Sequence, residues 1–240
     1  MWLLISGTGA VAQKADTIQQ RKNTIKLDVT SYYLYRNAIA LSYERVTGPN
    51  RSFVISAGYQ EFPKVTSFAD NIGVKQNGKR NGFKVGGDYR FYLMKENKYH
   101  APHGVYIGPY LTYHMYNNTR TIAVDSDGTM EEAILDTKFT IFNVGFQLGY
   151  QFIINDRWAI DLTFVGPSIS HYRYSVDVGG DYTFNKEDIQ NEIILDLLDK
   201  FPLLDEALSE KSATKNGKLD TWAYGYRYQL GIGYHFGRKK

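Results

Sequence analysis

Cysteine is absent from the 240 residues. That absence removes disulfide frameworks, thiol catalysis and Cys-based zinc or iron-sulfur centres together, and leaves the redox compartment open. Proline is scarce at 6 residues, and no apolar run reaches the ~18 consecutive residues that a membrane-spanning helix needs. Any membrane function therefore falls to strands, which cross a bilayer as closed barrels. Charge of one sign is lacking too, with 28 Lys and Arg against 25 Asp and Glu for a net of +3. This balance excludes a polycationic nucleic-acid binder, and 43% hydrophobic residues exclude a disordered chain. What is plentiful is aromatic, with 20 Tyr, 13 Phe and 3 Trp beside 22 Gly. The length and these strand formers favour a single β-rich unit.

Residues 1–12 read as a signal peptide: an apolar run from Trp2 to Ile5, small residues from Ser6 to Ala10, then Ala10-Val11-Ala12 as an A-x-A cleavage site before a polar stretch. No Lys or Arg precedes the apolar run, which points to a truncated start. The rival reading takes Gly7-x-Gly9-x-x-Ala12 as a dinucleotide fingerprint, but that needs a helix next and βαβ repeats after it, and the sequence offers neither. The expected organisation is a mature chain from near Gln13, a periplasmic segment at 13–23, a β body over 24–237 and a basic tail at 238–240.

From residue 24 the dominant signal is alternation with period two, the mark of half-buried strands. Eight stretches carry it, near 24–33, 38–46, 51–60, 83–93, 104–115, 138–152, from Trp158 onward and 221–236. The seventh loses phase near Gly166-Pro167, as a bulge would produce. In the eighth, Trp222, Tyr224, Tyr226, Tyr228, Leu230 and Ile232 alternate with small and polar residues.

Alternation alone does not say which face points inward. Three features favour apolar side chains outside. The stretches match the ~9 to 11 tilted residues that cross an outer membrane, longer than ordinary soluble strands. Brief connections at Thr47–Asn50 and Asn155–Arg157 and a modest one at Lys95–His103 alternate with long ones near 61–81, 117–137 and 173–219. The polar faces carry charges of both signs: Lys26, Asp28, Glu44, Lys84, Asp88, Arg90, Asp161 and Arg227. Inside a narrow eight-stranded barrel these would form a hydrogen-bonded ionic plug. Trp158 and Trp222 fall near opposite strand ends, as aromatic girdles do.

The run Gln229–Phe236, QLGIGYHF, resembles the C-terminal strand signal by which the barrel-assembly machinery recognises Gram-negative outer-membrane proteins. The resemblance implies recognition contacts at Gln229, Gly231, Tyr234 and Phe236, although Gly237-Arg238-Lys239-Lys240 extend past the usual end. Over 24–236 the chain resembles a small outer-membrane β-barrel of the OmpA-transmembrane or OmpX kind. The implied fold is all-β: a closed, antiparallel, eight-stranded, up-and-down transmembrane barrel, a multi-pass protein of the cell outer membrane.

Chemistry is thin. His100-x-x-His103 lacks a third metal ligand and reads as a solvated turn, while His114 and His235 fall on polar faces. Ser168, Ser170, His171 and Ser175 invite a lipid hydrolase, but Ser170 and His171 point to opposite faces of an extended strand. No catalytic, metal or cofactor site is expected, and no nucleic-acid partner. The last outer loop carries a helical insertion at 186–211, whose stripe of Ile189, Ile193, Ile194, Leu197, Leu198 and Phe201 ends at Pro202. This stripe serves as a lid over the barrel mouth or as a surface for an envelope protein or lipid. The expected function is structural display of outer loops, with outer-membrane lipid and the assembly machinery as partners; a narrow pore or small-solute channel is the alternative, and a lipid-modifying enzyme the more remote one.

Overall fold

The computed structural model describes residues 21–61, 72–126, 129–183, 185–200 and 217–237. The expected signal peptide at 1–12, most of the 13–23 segment, the 201–211 part of the helical insertion with Phe201, and the tail at 238–240 lie outside the described residues.

The strands are β1 (Asn23–Asp28), β2 (Arg36–Gly48), β3 (Arg51–Glu61), β4 (Ile72–Tyr92), β5 (Gly104–Ser126), β6 (Thr129–Ile154), β7 (Trp158–Val165), β8 (Pro167–Gly179), β9 (Lys218–Tyr226) and β10 (Gln229–Phe236). Every pairing is antiparallel, and eight of the strands close a ring in the order β1-β2-β3-β4-β5-β6-β7-β10 and back to β1. β8 and β9 extend the wall: β8 pairs with β6 on one side and β9 on the other. The turns at one end are tight. Asn155 and Asp156 take positive φ of 52° and 57° in the three-residue connection Asn155–Arg157, which lets Ile154 pair with Trp158.

The sheet counts ten strands where the alternation predicts eight stretches. The seventh stretch divides at Gly166 into β7 and β8, and the eighth divides at Arg227-Tyr228 into β9 and β10. The two breaks face each other: the Arg227 amide donates to the Gly166 carbonyl at 2.8 Å, and the β6–β7 register shifts between Leu148 and Gly149. A Cβ on Gly166 would stand 2.9 Å from the Arg227 carbonyl oxygen, so the paired bulges need glycine there.

The first stretch, expected near 24–33, stops at Asp28. The next residues wind into a helix, α1 (Val29–Leu34). Asp28 is the reason: its carboxylate accepts from the Ser31 amide at 3.0 Å and from the Ser31 hydroxyl at 2.6 Å, an N-cap that outweighs the strand preference of Val29 and Thr30.

The segments expected as long loops are partly strand. β4 begins at Ile72, β5 and β6 continue to Ser126 and from Thr129, and β8 runs to Gly179. These extensions carry their own apolar filling. Tyr116, Ile122 and Val124 of β5, Leu135 and Phe139 of β6, and Tyr174, Val176 and Val178 of β8 form a buried cluster with Leu219 of β9. The period of two persists, so the residues that face the bore lower down face this cluster higher up.

The helix of the last insertion is α2 (Lys186–Lys200). Asn185 accepts from the Glu187 amide at 3.0 Å, and Glu187 and Asp188 sit in the first turn, where acids favour the helix dipole. Ile189, Ile193 and Ile194 are buried in the cluster, and Gln190 donates to the Val176 carbonyl at 2.8 Å. The side chains of Leu197 and Leu198 lie outside the description. Lys186 adds an ion pair to Asp177 at 2.5 Å.

Two outcomes follow from this packing. Ile193→Ala, at a fully buried site, is expected to weaken the docking of α2 by about 2–5 kcal/mol, read as faster amide exchange through Lys186–Lys200 while β1 and β10 keep their protection. The hydrogen bond from Lys186 holds the Asp177 carboxyl below the usual carboxylate range, so the contact is intact at neutral pH and is lost as pH falls through that lowered value. A carboxyl-carbon NMR titration is expected to show the low midpoint in the native protein and a rise toward the ordinary value in Lys186→Gln.

Candidate functional site: an ionic floor and the cavity above it

The two faces of the ring differ in kind. Outward side chains are large and apolar, such as Phe146 at 68% exposed and Trp158 at 56%, while Lys26 and Arg90 on the inner face are each 2% exposed. An ion so far from water is stable only when paired and hydrogen-bonded.

The pairing centres on Asp161 of β7. Its carboxylate accepts from Lys26 Nζ at 2.5 Å, Arg90 Nη1 at 2.7 Å and the Tyr106 hydroxyl at 2.7 Å. Glu44 of β2 shares the same lysine at 2.8 Å and also accepts from Ser52 at 2.6 Å and Tyr92 at 2.8 Å. Arg90 reaches on to Asp88 at 3.3 Å, and Asp88 accepts from Arg227 Nη1 at 2.8 Å. The six residues Lys26, Glu44, Asp88, Arg90, Asp161 and Arg227 thus form one contiguous network. Lys84 and Asp28 make a separate pair at 2.8 Å, nearer the long-hairpin end, and Lys84 also donates to Ser31 at 3.2 Å. Four cations and four anions balance. Within this set the charges cancel.

Residues not singled out by charge complete the floor. Tyr92 and Tyr106 lie on the inner face, with the Arg90 guanidinium 4.1 Å from the Tyr106 ring centroid. Tyr106 needs Gly149 opposite it, because a Cβ there would collide with the phenol. The signal available in sequence is register: Tyr106 alternates with Val105 and Ile107, which places it among the polar residues.

Above this floor lies a cavity of about 270 Å³. Asp28, Lys84 and Arg227 bound it below, and Thr112, Asn143 and Ser168 line its sides. Tyr35, Ile141 and Tyr172 bound it toward the long-hairpin end, where Tyr35 stacks on Tyr116, Tyr116 on Phe139 and Phe139 on Tyr172 at centroid distances of 6.2 to 6.4 Å. A polar base thus faces an aromatic ceiling.

The remaining sequence candidates are dispersed. Ser170 is buried on the inner face, whereas His171 points outward, bonded to Asp220 at 2.5 Å and stacked on Trp222. His235 contacts Thr24 at 2.9 Å, and His114 contacts Gln60 at 2.8 Å. His103 stacks on Tyr99, and burial in its turn lowers the affinity of its imidazole for a proton. Among the described residues no cluster of three or more His, Asp or Glu is placed to hold a metal ion. Of the C-terminal signal residues, Gln229 bonds Arg227 within the ring, Gly231 stands between Asp28 and Asp161 in register, Tyr234 faces outward against Arg157, and Phe236 pairs with Asn23.

The family model DUF3575, described as a protein of unknown function, matches residues 3–188. No curated protein matches the chain. Among solved structures, a major outer membrane protein from Thermus thermophilus is similar at 12% identity and a TM-score of 0.36, over 90% of this chain and 98% of that one.

Removing one member of a buried pair leaves the other charge stranded. Lys84→Met is therefore expected to destabilise the ring by about 3–5 kcal/mol in denaturant titrations. Adding Asp28→Asn, which removes the stranded charge and keeps an N-cap residue, is expected to recover most of the loss.

Proposed function

The chain belongs to DUF3575, a family of unknown function, and we propose that it is a closed, eight-stranded outer-membrane β-barrel that anchors and displays the structures at its long-hairpin end. One observation carries this reading: apolar side chains cover the outside of the ring and a neutral ionic network fills the inside. A soluble protein would bear the cost of wetting that wall; in a bilayer the same wall is the favourable surface. No helix among the described residues is long and apolar enough to cross a membrane, which leaves crossing to strands.

The outer wall is also banded. Trp158 and Tyr234 pack edge to face near the tight-turn end, with exposed Arg45, Arg51 and Arg157 beyond them. At the other limit Tyr113, Phe142 and Trp222 share neighbouring register positions, and Lys138, Arg173, Lys218 and Asp220 follow. Two aromatic levels with charges outside them match the interfaces of a bilayer. The tight turns would face the periplasm and the long hairpins the exterior.

Display fits the packing better than conduction. A narrow pore needs a continuous water path, and the Lys26, Glu44, Arg90 and Asp161 network occupies the section where that path would run. A lipid-modifying activity needs a serine within reach of a histidine, and Ser170 and His171 face opposite ways. The three isoleucines of α2 are engaged by the chain's own strands, which supports a lid rather than a free docking stripe. During biogenesis, Gln229, Gly231, Tyr234 and Phe236 would present the C-terminal strand to the assembly machinery.

The test is electrophoretic. Protein extracted from the outer-membrane fraction is expected to migrate faster unheated than boiled, and to give no steady current in planar bilayers. Recovery in the soluble fraction without detergent would contradict the location, and a steady current altered by Arg90→Gln would contradict the closed bore.

A further inference from the structure

Although the strands close a ring, they do not close it along its whole height. β1 pairs with β10 over only six residues, from Asn23 to Asp28, and with β2 over five, from Asn23 to Leu27. Beyond that, among the described residues, no strand pairs with the free edge of β9 or with residues 36–40 of β2 on the β1 side. The short helix α1 stands in the gap instead, with Ser31 buried and Tyr32, Tyr33 and Leu34 turned outward. The wall therefore has a seam held by side chains and one helical turn, where the other strands at that level are joined by backbone ladders.

The seam has a definite level. Tyr226 is in register with Pro167, whereas the outward charges begin at the Arg173–Asp220 position, beyond Trp222. The junction of β9 and β10 thus lies between the two aromatic levels, where the proposed membrane is apolar. Directly behind it is the 270 Å³ cavity, whose lining includes Thr30, Ser31 and Leu34 of α1 and Gly225 to Gln229 of the junction.

We infer that this cavity is a binding site for the head of a single-chain fatty acid, entered sideways from the bilayer through the seam between α1 and the β9–β10 junction. The inference rests on the outer-membrane reading for its route and on the cavity itself for its chemistry. Lys84 and Arg227 both reach the lining, Lys84 paired with Asp28 at 2.8 Å and Arg227 with Asp88 beneath it at 2.8 Å, so a bound carboxylate would share their N–H donors rather than meet an unpaired cation. The hydroxyls of Thr112 and Ser168 add donors suited to a carboxylate, while the Tyr110 hydroxyl on the same lining donates to the Gly166 carbonyl at 2.7 Å. The volume equals roughly nine waters at their liquid share. That holds a carboxyl group and a few methylenes and excludes a two-chain lipid. The rest of the chain leaves past Leu34, Tyr226 and Tyr228, all exposed and largely apolar.

The test uses the full chain in phosphatidylcholine nanodiscs with radiolabelled decanoate, and decyltrimethylammonium as the same tail with the opposite head. Decanoate is expected to bind at about one per protein above the level of empty discs, and decyltrimethylammonium is not. Arg227→Gln should weaken decanoate binding at least ten-fold, and Asn143→Phe, which fills the cavity from β6, should abolish it; Lys138→Gln on the outer wall should leave it unchanged. Heat-modifiable migration is scored for each variant, so that a misfolded barrel is not mistaken for an emptied site. Retention equal to empty discs, or binding indifferent to both Asn143→Phe and Arg227→Gln in heat-modifiable protein, would overturn the site while leaving the location intact. Decanoate binding by a protein that fractionates as soluble would instead overturn the location and the sideways route.

Discussion

A charge taken out of water has to find its opposite, and the interior of this ring is organised by that requirement. Lys26 bridges Glu44 and Asp161, Arg90 bridges Asp161 and Asp88, and Arg227 completes Asp88. These contacts join β1, β2, β4 and β7 with the β9–β10 junction. A slip of one residue in any ladder would turn its charged member to the outside and leave a partner stranded. Register, closure and the apolar outer wall are thus aspects of one arrangement.

Above the network the same inward face changes character. Tyrosine, phenylalanine and branched aliphatic residues predominate, with Arg120 also buried on that face, the strands run on as long hairpins, and α2 docks three isoleucines into the apolar cluster. A rigid ionic base carries an apolar superstructure at one end, as display requires. Between the two lies the cavity, beside the section of wall where α1 replaces a strand.

Much of this was legible in the sequence. The alternation placed Phe146 and Trp158 on one face and Lys84, Arg90 and Asp161 on the other, because period two is imposed by the strand itself. The helix α2 was legible from the stripe of Ile189, Ile193 and Ile194, because helical spacing is a local signal. What escaped was non-local or competitive. Val29 and Thr30 look like strand until the Asp28 carboxylate is seen to bind Ser31, with Lys84 holding it in place. The hairpin extensions were hidden because Asn117, Thr119 and Thr121 make the outward face of β5 polar there, so the contrast between faces fades while the ladder continues. Tyr92 and Tyr106 are good strand formers on either face, and only the closed ring shows their hydroxyls reaching Glu44 and Asp161. The cavity depends on where β1 stops, which no alternation pattern encodes.

The absence of cysteine makes the central claim directly measurable, since each introduced cysteine is unique in the chain. Nitroxide labels placed one at a time along β7, from position 158 to position 164, in protein reconstituted into bilayers, report collision with oxygen dissolved in the lipid. The account predicts oxygen maxima at 158, 160, 162 and 164 and minima at 159, 161 and 163, because Trp158 and Phe164 are exposed while Ala159, Asp161 and Thr163 are buried. Maxima at the odd positions, or access to a water-soluble nickel complex at the even ones, would contradict an apolar face in lipid and an ionic one within.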